Sequence, residues 1–513
     1  MRISRREAVM SLAVAAAARG LVYSGSAGAQ EADPVVVCPA GAVRGRRKGA
    51  LNVYTGIPYG APTGGAARYR RSVPAPRWPG VFDATRTPRV SPQATDALFP
   101  VLSGVPSEDC LQLSVWTPTT PGPHPVFVWI HGGGNIQGSC ADALFDCSVF
   151  ARDGIVSVAL NYRLGVLGFV ELGGLLGPDY RGSANNGLLD QILALGWVKE
   201  NIAAFGGNPD QITVAGESAG AFNLATLLGT PATAGLFRRA IVASGGQRVS
   251  SIAEADAFAA HVARTLGGAD RLRAATPDEL IAAQGKSVAG WPQAVPFRGV
   301  LDSQVLPVSP IDAVARGSAR DVDLLLGWCR DETRMMVPPQ VAGNPAFVPP
   351  TFKATAEQVK KARGVYAKAD PSLSVADLTY KVTTAETFGI TSLRLADAQV
   401  AAGGKVFKYR LDYTVENGPF GDKTPHGFDV PMVFEQFDHR LARLNGFSRA
   451  DAPMGATMRA VWSSFIRTGV VDAGLPQWPT YDLRQESTMI IDRVPRVERH
   501  LELLDRVAWQ GAL

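Results

Sequence analysis

Thr213-Val214-Ala215-Gly216-Glu217-Ser218-Ala219-Gly220-Ala221 is the stretch on which the reading of this chain turns. A β-leaning run, residues 211–215, feeds a Gly-x-Ser-x-Gly box, and a small-residue, helix-compatible stretch follows over residues 219–228. The pattern predicts a strand, a sharp turn and a helix. A serine at such a turn occupies strained backbone, with its hydroxyl pushed out above the sheet. Gly216 and Gly220 are needed because a side chain at either position would collide with the neighbouring strand or helix. In a chain with 54 glycines the box by itself also fits a plain turn, so the surrounding sequence has to decide.

Working outward, residues 126–130 (Val-Phe-Val-Trp-Ile) are continuously apolar, the pattern of a strand buried on both faces. Residues 155–160 form another such run, and 240–243 and 324–326 two more. Residues 111–116 alternate apolar and polar, which predicts a strand with one buried face. Residues 188–202 carry apolar side chains at helical spacing. Residues 35–59 read as short strands broken by glycine-rich turns, and 58–92 as an extended, loop-rich segment. Strands alternating with helices predict an α/β fold, a mostly parallel central sheet with helices on both faces. From about 253 to 400 helical character rises around the 324–326 strand, which predicts a helical cap at the mouth of the site.

With 513 residues the chain is long enough to bury a large core, and large α/β enzymes of this size often form a single unit. The net charge of +5 is small for that length and argues against a nucleic-acid partner. The densest basic cluster, Arg44-Gly45-Arg46-Arg47-Lys48, reads as a solvated hairpin turn. At the start, Ser4-Arg5-Arg6-Glu7 precedes a short alanine-rich apolar stretch, and Ala27-Gly28-Ala29 offers small residues before Gln30. This is the layout of a cleavable twin-arginine export signal over residues 1–29, followed by one catalytic domain over 30–513. It predicts a periplasmic or extracellular protein. No later segment reaches the roughly 18 unbroken apolar residues of a membrane span, so stable membrane insertion is not expected. Five cysteines are few for an exported chain of this size. Cys140 and Cys147 are close enough in sequence to bridge a short loop, whereas Cys38, Cys110 and Cys329 have no evident partners.

A serine hydroxyl is a poor nucleophile at neutral pH and needs a base within hydrogen-bond reach, itself oriented by a carboxylate. In a fold with this elbow the chain order is serine, acid, histidine. Of six histidines, His426, His439 and His500 follow Ser218. His426 lies in Thr424-Pro425-His426-Gly427-Phe428-Asp429, a loop between a strand-like run (406–413) and a helix-like one, from which it can reach the top of a sheet. His439 reads as a solvated helix end, and His500 lies among charges. Order and loop position select His426. The acid should follow a strand between Ser218 and His426, and Leu324-Leu325-Leu326-Gly327-Trp328-Cys329-Arg330-Asp331-Glu332 supplies one. On chemistry alone Asp331 and Glu332 serve equally. His131-Gly132-Gly133-Gly134 directly follows the 126–130 strand, and its glycines let backbone N–H groups converge on a developing oxyanion. Gly133, Gly134 and Ala219 are the natural donors. The scheme calls for no cofactor and no metal, and its partner is a small-molecule ester.

Together these stretches resemble the type-B carboxylesterases, a family that includes bacterial para-nitrobenzyl esterases and the cholinesterases. The resemblance runs from about Tyr54 to Tyr481. It is carried by Gly56-Ile57-Pro58-Tyr59, Ser107-Glu108-Asp109-Cys110-Leu111, Asn161-Tyr162-Arg163-Leu164-Gly165, Phe205-Gly206-Gly207-Asn208-Pro209, the Ser218 box, His426-Gly427 and Trp478-Pro479-Thr480-Tyr481. It implies an α/β-hydrolase fold with its site at the foot of a gorge. It also implies that Glu332, the glutamate of an Asp-Glu pair, is the acid, and that Ser244 supports the triad. Glu217, beside the nucleophile, adds negative charge near the imidazole. The sequence departs from the family in three places. The family pairs the cysteine matching Cys110 with one near 91–94, where this chain has Ala94. An aromatic commonly follows the three glycines, where this chain has Asn135, and Ser244-Gly245-Gly246 replaces Ser-Gly-Ser.

The function expected is serine carboxylesterase chemistry through an acyl-enzyme. A lipase acting on long-chain esters and a non-catalytic, cholinesterase-like binding protein are the alternatives. An aromatic content of 8% and Asn135 lead us to expect uncharged esters of short to medium acyl chain rather than choline esters.

Overall fold

A computed structural model describes residues 33–95, 104–293, 295–302, 304–349, 351 and 354–511. The expected export signal, residues 1–29, lies outside the described residues, as do residues 96–103.

The strand leading to the elbow runs over Gly207–Glu217, longer than the sequence pattern suggests, and the helix after it over Ala219–Leu228. That strand lies near the middle of an eleven-stranded sheet. Parallel pairing joins Val156–Leu160, His124–Ile130, Gly207–Glu217, Arg239–Ala243, Asp323–Cys329, Val406–Leu411 and Thr488–Ile491 in that order. Antiparallel strands extend both edges: Gln112–Pro118, Leu51–Pro58 and Arg46–Lys48 on one side, Arg496–Glu498 on the other. The chain is therefore an α/β protein with a mostly parallel central sheet and helices around it.

Side-chain alternation along the strands explains why both faces are covered. Val126, Val128 and Ile130 point into one apolar cluster with Val214, Val242, Leu324 and Leu326. Phe127 and Trp129 point into the opposite cluster with Ala215, Ile241, Leu325 and the helix Ala452–Thr468. Continuous apolar runs are what a strand buried on two faces requires. Each fully buried Leu or Val here contributes about 1.5–3 kcal/mol by leaving water.

Two expectations are corrected. The 111–116 strand does not have one solvated face. Gln112–Pro118 is buried on both, between Val156–Leu160 and Leu51–Pro58. Its polar residues are accommodated instead: Gln112 Oε1 accepts from the Arg89 N–H at 2.8 Å, and Ser114 lies against the Cys140 thiol. The basic cluster is not a turn either. Arg46–Lys48 is an exposed edge strand paired with Leu51–Val53, and the turn falls at Gly49-Ala50. Charge on an edge strand discourages pairing with another chain.

Between the strands Arg239–Ala243 and Val406–Leu411 the chain is mostly helical, including Ile252–Leu266, Pro277–Ala289, Ala356–Ala369, Val375–Thr384 and Ile390–Ala401. These are the helices expected as a cap. Capping boxes at Ser251, Thr276 and Thr355 define three of their starts. All five cysteines are buried free thiols, Cys140 and Cys147 among them. Among the described residues no helix is long and apolar enough to cross a membrane.

Candidate active site

The parallel strands deliver their C-terminal ends to one edge of the sheet, where ligands bind in open α/β folds. His131 follows the strand ending at Ile130, Ser218 the one ending at Glu217, and Ser244 the one ending at Ala243. Glu332 lies just past the strand ending at Cys329, and His426 in the connection after Leu411.

Ser218 has φ 54° and ψ −123°, far from ordinary helix or strand backbone. Its N–H donates to the Ala243 carbonyl (3.0 Å) and its carbonyl accepts from the Phe222 N–H (2.9 Å), so strand and helix both hold the turn. A Cβ on Gly216 would stand 2.4 Å from the Gly220 carbonyl carbon, and one on Gly220 would stand 2.1 Å from the Ile130 carbonyl oxygen. Any side chain at either position would push the turn apart.

The structure brings Ser218, His426 and Glu332 together. His426 Nε2 lies 2.8 Å from Ser218 Oγ, and Nδ1 lies 2.5 Å from Glu332 Oε2. Glu332 is fully buried, and its second oxygen accepts from the Cys329 N–H at 2.8 Å. The His426 N–H also donates to the Glu332 carbonyl (3.0 Å), which fixes the two loops to each other. Asp331 turns away, accepting from Arg330 Nε (2.9 Å) and the Thr424 N–H (3.0 Å). His439 caps the helix Arg440–Leu444, and His500 lies exposed near Glu486.

Glu217 Oε1 reaches His426 Nε2 at 3.1 Å. Burial is the largest influence on the imidazole and would lower its pKa. The Glu217 and Glu332 carboxylates, with Asp429 behind them, overcome it and raise the group to about 9. Burial pushes Glu217 up to about 8, against the pull of the imidazole. Asp429 is pushed up to about 7 by burial and then by Glu332. Three carboxyl groups thus surround one imidazole, and their titrations belong to the cluster rather than to single residues.

Gly133 (φ 98°) and Gly134 (φ 63°) form the turn after His131, where a Cβ on Gly132 would meet Ser218 Cβ at 3.1 Å. Among the described residues, no protein acceptor meets the N–H of Gly133, Gly134 or Ala219. The His131 ring is buried, stacks on Tyr162 (4.6 Å between centroids) and is lowered to about 4 by burial, so it is neutral. Ser244 is buried at φ 52°, and its hydroxyl has no hydrogen-bond partner among the described residues. Asn135 is turned into the protein. It is 2% exposed, its amide bonded to protein groups on three sides.

Two neighbours of the imidazole escape sequence reasoning. Phe388 packs its ring on His426 (4.8 Å) from a π-helical turn over Ala385–Gly389, for which the sequence carries no signal. Asp429 is visible three residues after His426, but only the fold buries it.

The model of the Carboxylesterase family matches residues 32–509. The para-nitrobenzyl esterase of Bacillus subtilis is 33% identical over 488 residues, covering 91% of this chain and 96% of that protein. The phenmedipham hydrolase of Pseudarthrobacter oxydans is 32% identical over 509 residues, 93% of this chain and 98% of that one. Among solved structures, a Geobacillus stearothermophilus carboxylesterase superposes with a TM-score of 0.81 at 33% identity, covering 93% of this chain and all of that one.

Proposed function

The chain belongs to the carboxylesterase family and is a carboxylic ester hydrolase; from that premise we propose that it works through an acyl-enzyme on Ser218. Ser218 Oγ attacks the ester carbonyl carbon while His426 Nε2 takes its proton. The carbonyl oxygen becomes an oxyanion against the N–H groups of Gly133, Gly134 and Ala219. Collapse of the tetrahedral intermediate breaks the bond to the alcohol oxygen, which leaves with the proton from Nε2. Water then attacks the acyl group by the same route in reverse, releasing the acid and restoring Ser218. Glu332 keeps the proton on Nδ1, so that Nε2 faces the serine as a base, and stabilises the imidazolium as it forms. Glu217 adds a second negative charge beside it.

The observation that supports this reading above the rest is the unbroken hydrogen-bond chain from Ser218 Oγ through the imidazole to the buried Glu332. A nucleophile bonded to a base that is itself oriented by a third group is the arrangement nucleophilic catalysis needs. Rapid mixing with a nitrophenyl ester tests it: one equivalent of nitrophenol should appear in a burst, and a fluorophosphonate should label Ser218 and block the burst. Labelling elsewhere, or turnover after Ser218 is blocked, refutes it. We also infer export through the twin-arginine route, which the Arg5-Arg6 pair and the small residues before Gln30 support.

A further inference from the structure

The proposed oxyanion donors sit on two separate segments. Gly133 and Gly134 belong to the loop after His124–Ile130, and Ala219 opens the helix after the elbow. Their convergence on one oxygen must hold to a few tenths of an ångström, because donor geometry decides how much an oxyanion is stabilised. We propose that Asn135 and Asn223, outside the reacting groups, are the positioning residues that set this distance.

Asn135 directly follows Gly134, and Asn223 lies one turn beyond Ala219 on the same face of its helix. Their carboxamides bond reciprocally: Asn135 Nδ2 donates to Asn223 Oδ1 (3.2 Å), and Asn223 Nδ2 donates to Asn135 Oδ1 (2.9 Å). Both residues are 2% exposed. The second Asn135 Nδ2 proton goes to the Phe297 carbonyl (3.0 Å). The Tyr162 hydroxyl lies 3.1 Å from Asn135 Oδ1 and 3.0 Å from the His131 carbonyl, with one proton between the two acceptors. The Asn135 carbonyl accepts from the Gly165 N–H at 2.6 Å. The residue beside the donors is thereby tied to the nucleophile helix, to the 162–165 loop and to the segment carrying Phe297.

Asparagine meets two demands here at once. The backbone of residue 135 is left-handed (φ 57°), a conformation asparagine tolerates better than most residues. An amide also supplies the two donors and two acceptors that these neighbours use. An aromatic ring at 135 would offer neither, and would leave the buried Asn223 amide and Phe297 carbonyl without these partners.

The inference rests on the proposed roles of Ser218, Gly133, Gly134 and Ala219. Asn135→Gly keeps the left-handed backbone and deletes the amide, and Asn223→Ala removes the opposite half on a helix that favours alanine. With nitrophenyl butyrate, each should lower kcat roughly 10–100-fold with little change in KM. Affinity for a trifluoromethyl ketone, which forms the tetrahedral adduct on Ser218, should fall by the same factor, while the product alcohol inhibits as before. The double variant should be no worse than the poorer single variant, because both break one linkage. Asn223→Ala alone supplies the test if Asn135→Gly does not fold. The inference is overturned if kcat stays within about threefold, or if kcat falls without a matching loss of ketone affinity. Failure of a fluorophosphonate to label Ser218 in the unaltered protein would instead sink the underlying mechanism.

Discussion

Glu217→Gln is the most informative substitution at this site, because it removes one charge and almost no volume. Glu217 Oε1 stands 3.1 Å from His426 Nε2, the nitrogen that must be unprotonated to act as base. Burial lowers the imidazole and the surrounding carboxylates raise it, to about 9. An opposite charge this close shifts a pKa by roughly 1–3 units. Glu217 shares its influence on the imidazole with Glu332 and Asp429, and burial raises its own carboxyl as well, so its pull is taken at the low end of that range. The expected fall in the imidazole pKa is about one unit, or about 1.4 kcal/mol. The sign follows: kcat/KM rises as the imidazolium loses its proton, so the acidic limb of the variant's profile moves to lower pH. The imidazolium that forms in the transition state loses the same carboxylate, so the plateau drops by about tenfold. A limb one unit lower and a plateau ten times lower offset one another in acid. The two profiles should therefore coincide at the acid end and part towards the alkaline plateau. Initial rates with nitrophenyl butyrate between about pH 5 and about pH 10, read at the isosbestic wavelength of nitrophenol, measure this. An acidic limb that stays in place or moves to higher pH refutes the reasoning.

Ser218→Ala should lose roughly 10⁴–10⁶ in kcat while melting as the parent does, and more than about a tenth of the activity remaining would refute the nucleophile assignment. Glu332→Gln should cost ~10³–10⁴, and Asp331→Asn far less because Asp331 bonds Arg330 and Thr424 instead of the imidazole; paired kcat measurements giving the reverse order would overturn the choice of acid. The guanidinium of Arg248 lies 4.0 Å over the Phe222 ring and 5.9 Å over Phe388, so the ring packed on His426 and the Phe222 ring beside it already face a cation. kcat/KM should accordingly be higher for nitrophenyl butyrate than for a choline ester or an emulsified long-chain triglyceride, and a choline ester that outperforms it contradicts this. Arg5→Lys with Arg6→Lys should retain the enzyme in the cytoplasm of a bacterial host on fractionation, and unchanged export would point to another route.

The elbow was legible because its constraints are local. Strand, tight turn and helix lie within one short stretch; Gly216 follows from a contact inside that stretch, and Gly220 from the close approach of the adjacent strand's Ile130 carbonyl. The sheet was legible for a related reason: a strand buried on two faces must be apolar at consecutive positions, as residues 126–130 and 324–326 are. His426 emerged from chain order and a short list of histidines. Asp331 and Glu332 were different. They are adjacent, chemically alike acids that residue chemistry leaves equal; the family resemblance implies Glu332, and the docking of the 424–426 backbone is the physical reason for the geometry: the Thr424 N–H takes Asp331, and the His426 ring takes Glu332. The solvated face expected of the 111–116 strand failed because alternation records polarity, not the neighbours that cover it. Burial of Glu217 and Asp429 beside Glu332, the Phe388 ring on His426 and the inward turn of Asn135 arise from segments far apart in sequence. Pattern along the chain determines what each segment can form. Which charges share a low-dielectric pocket, and so where a proton sits, is decided only once those segments pack.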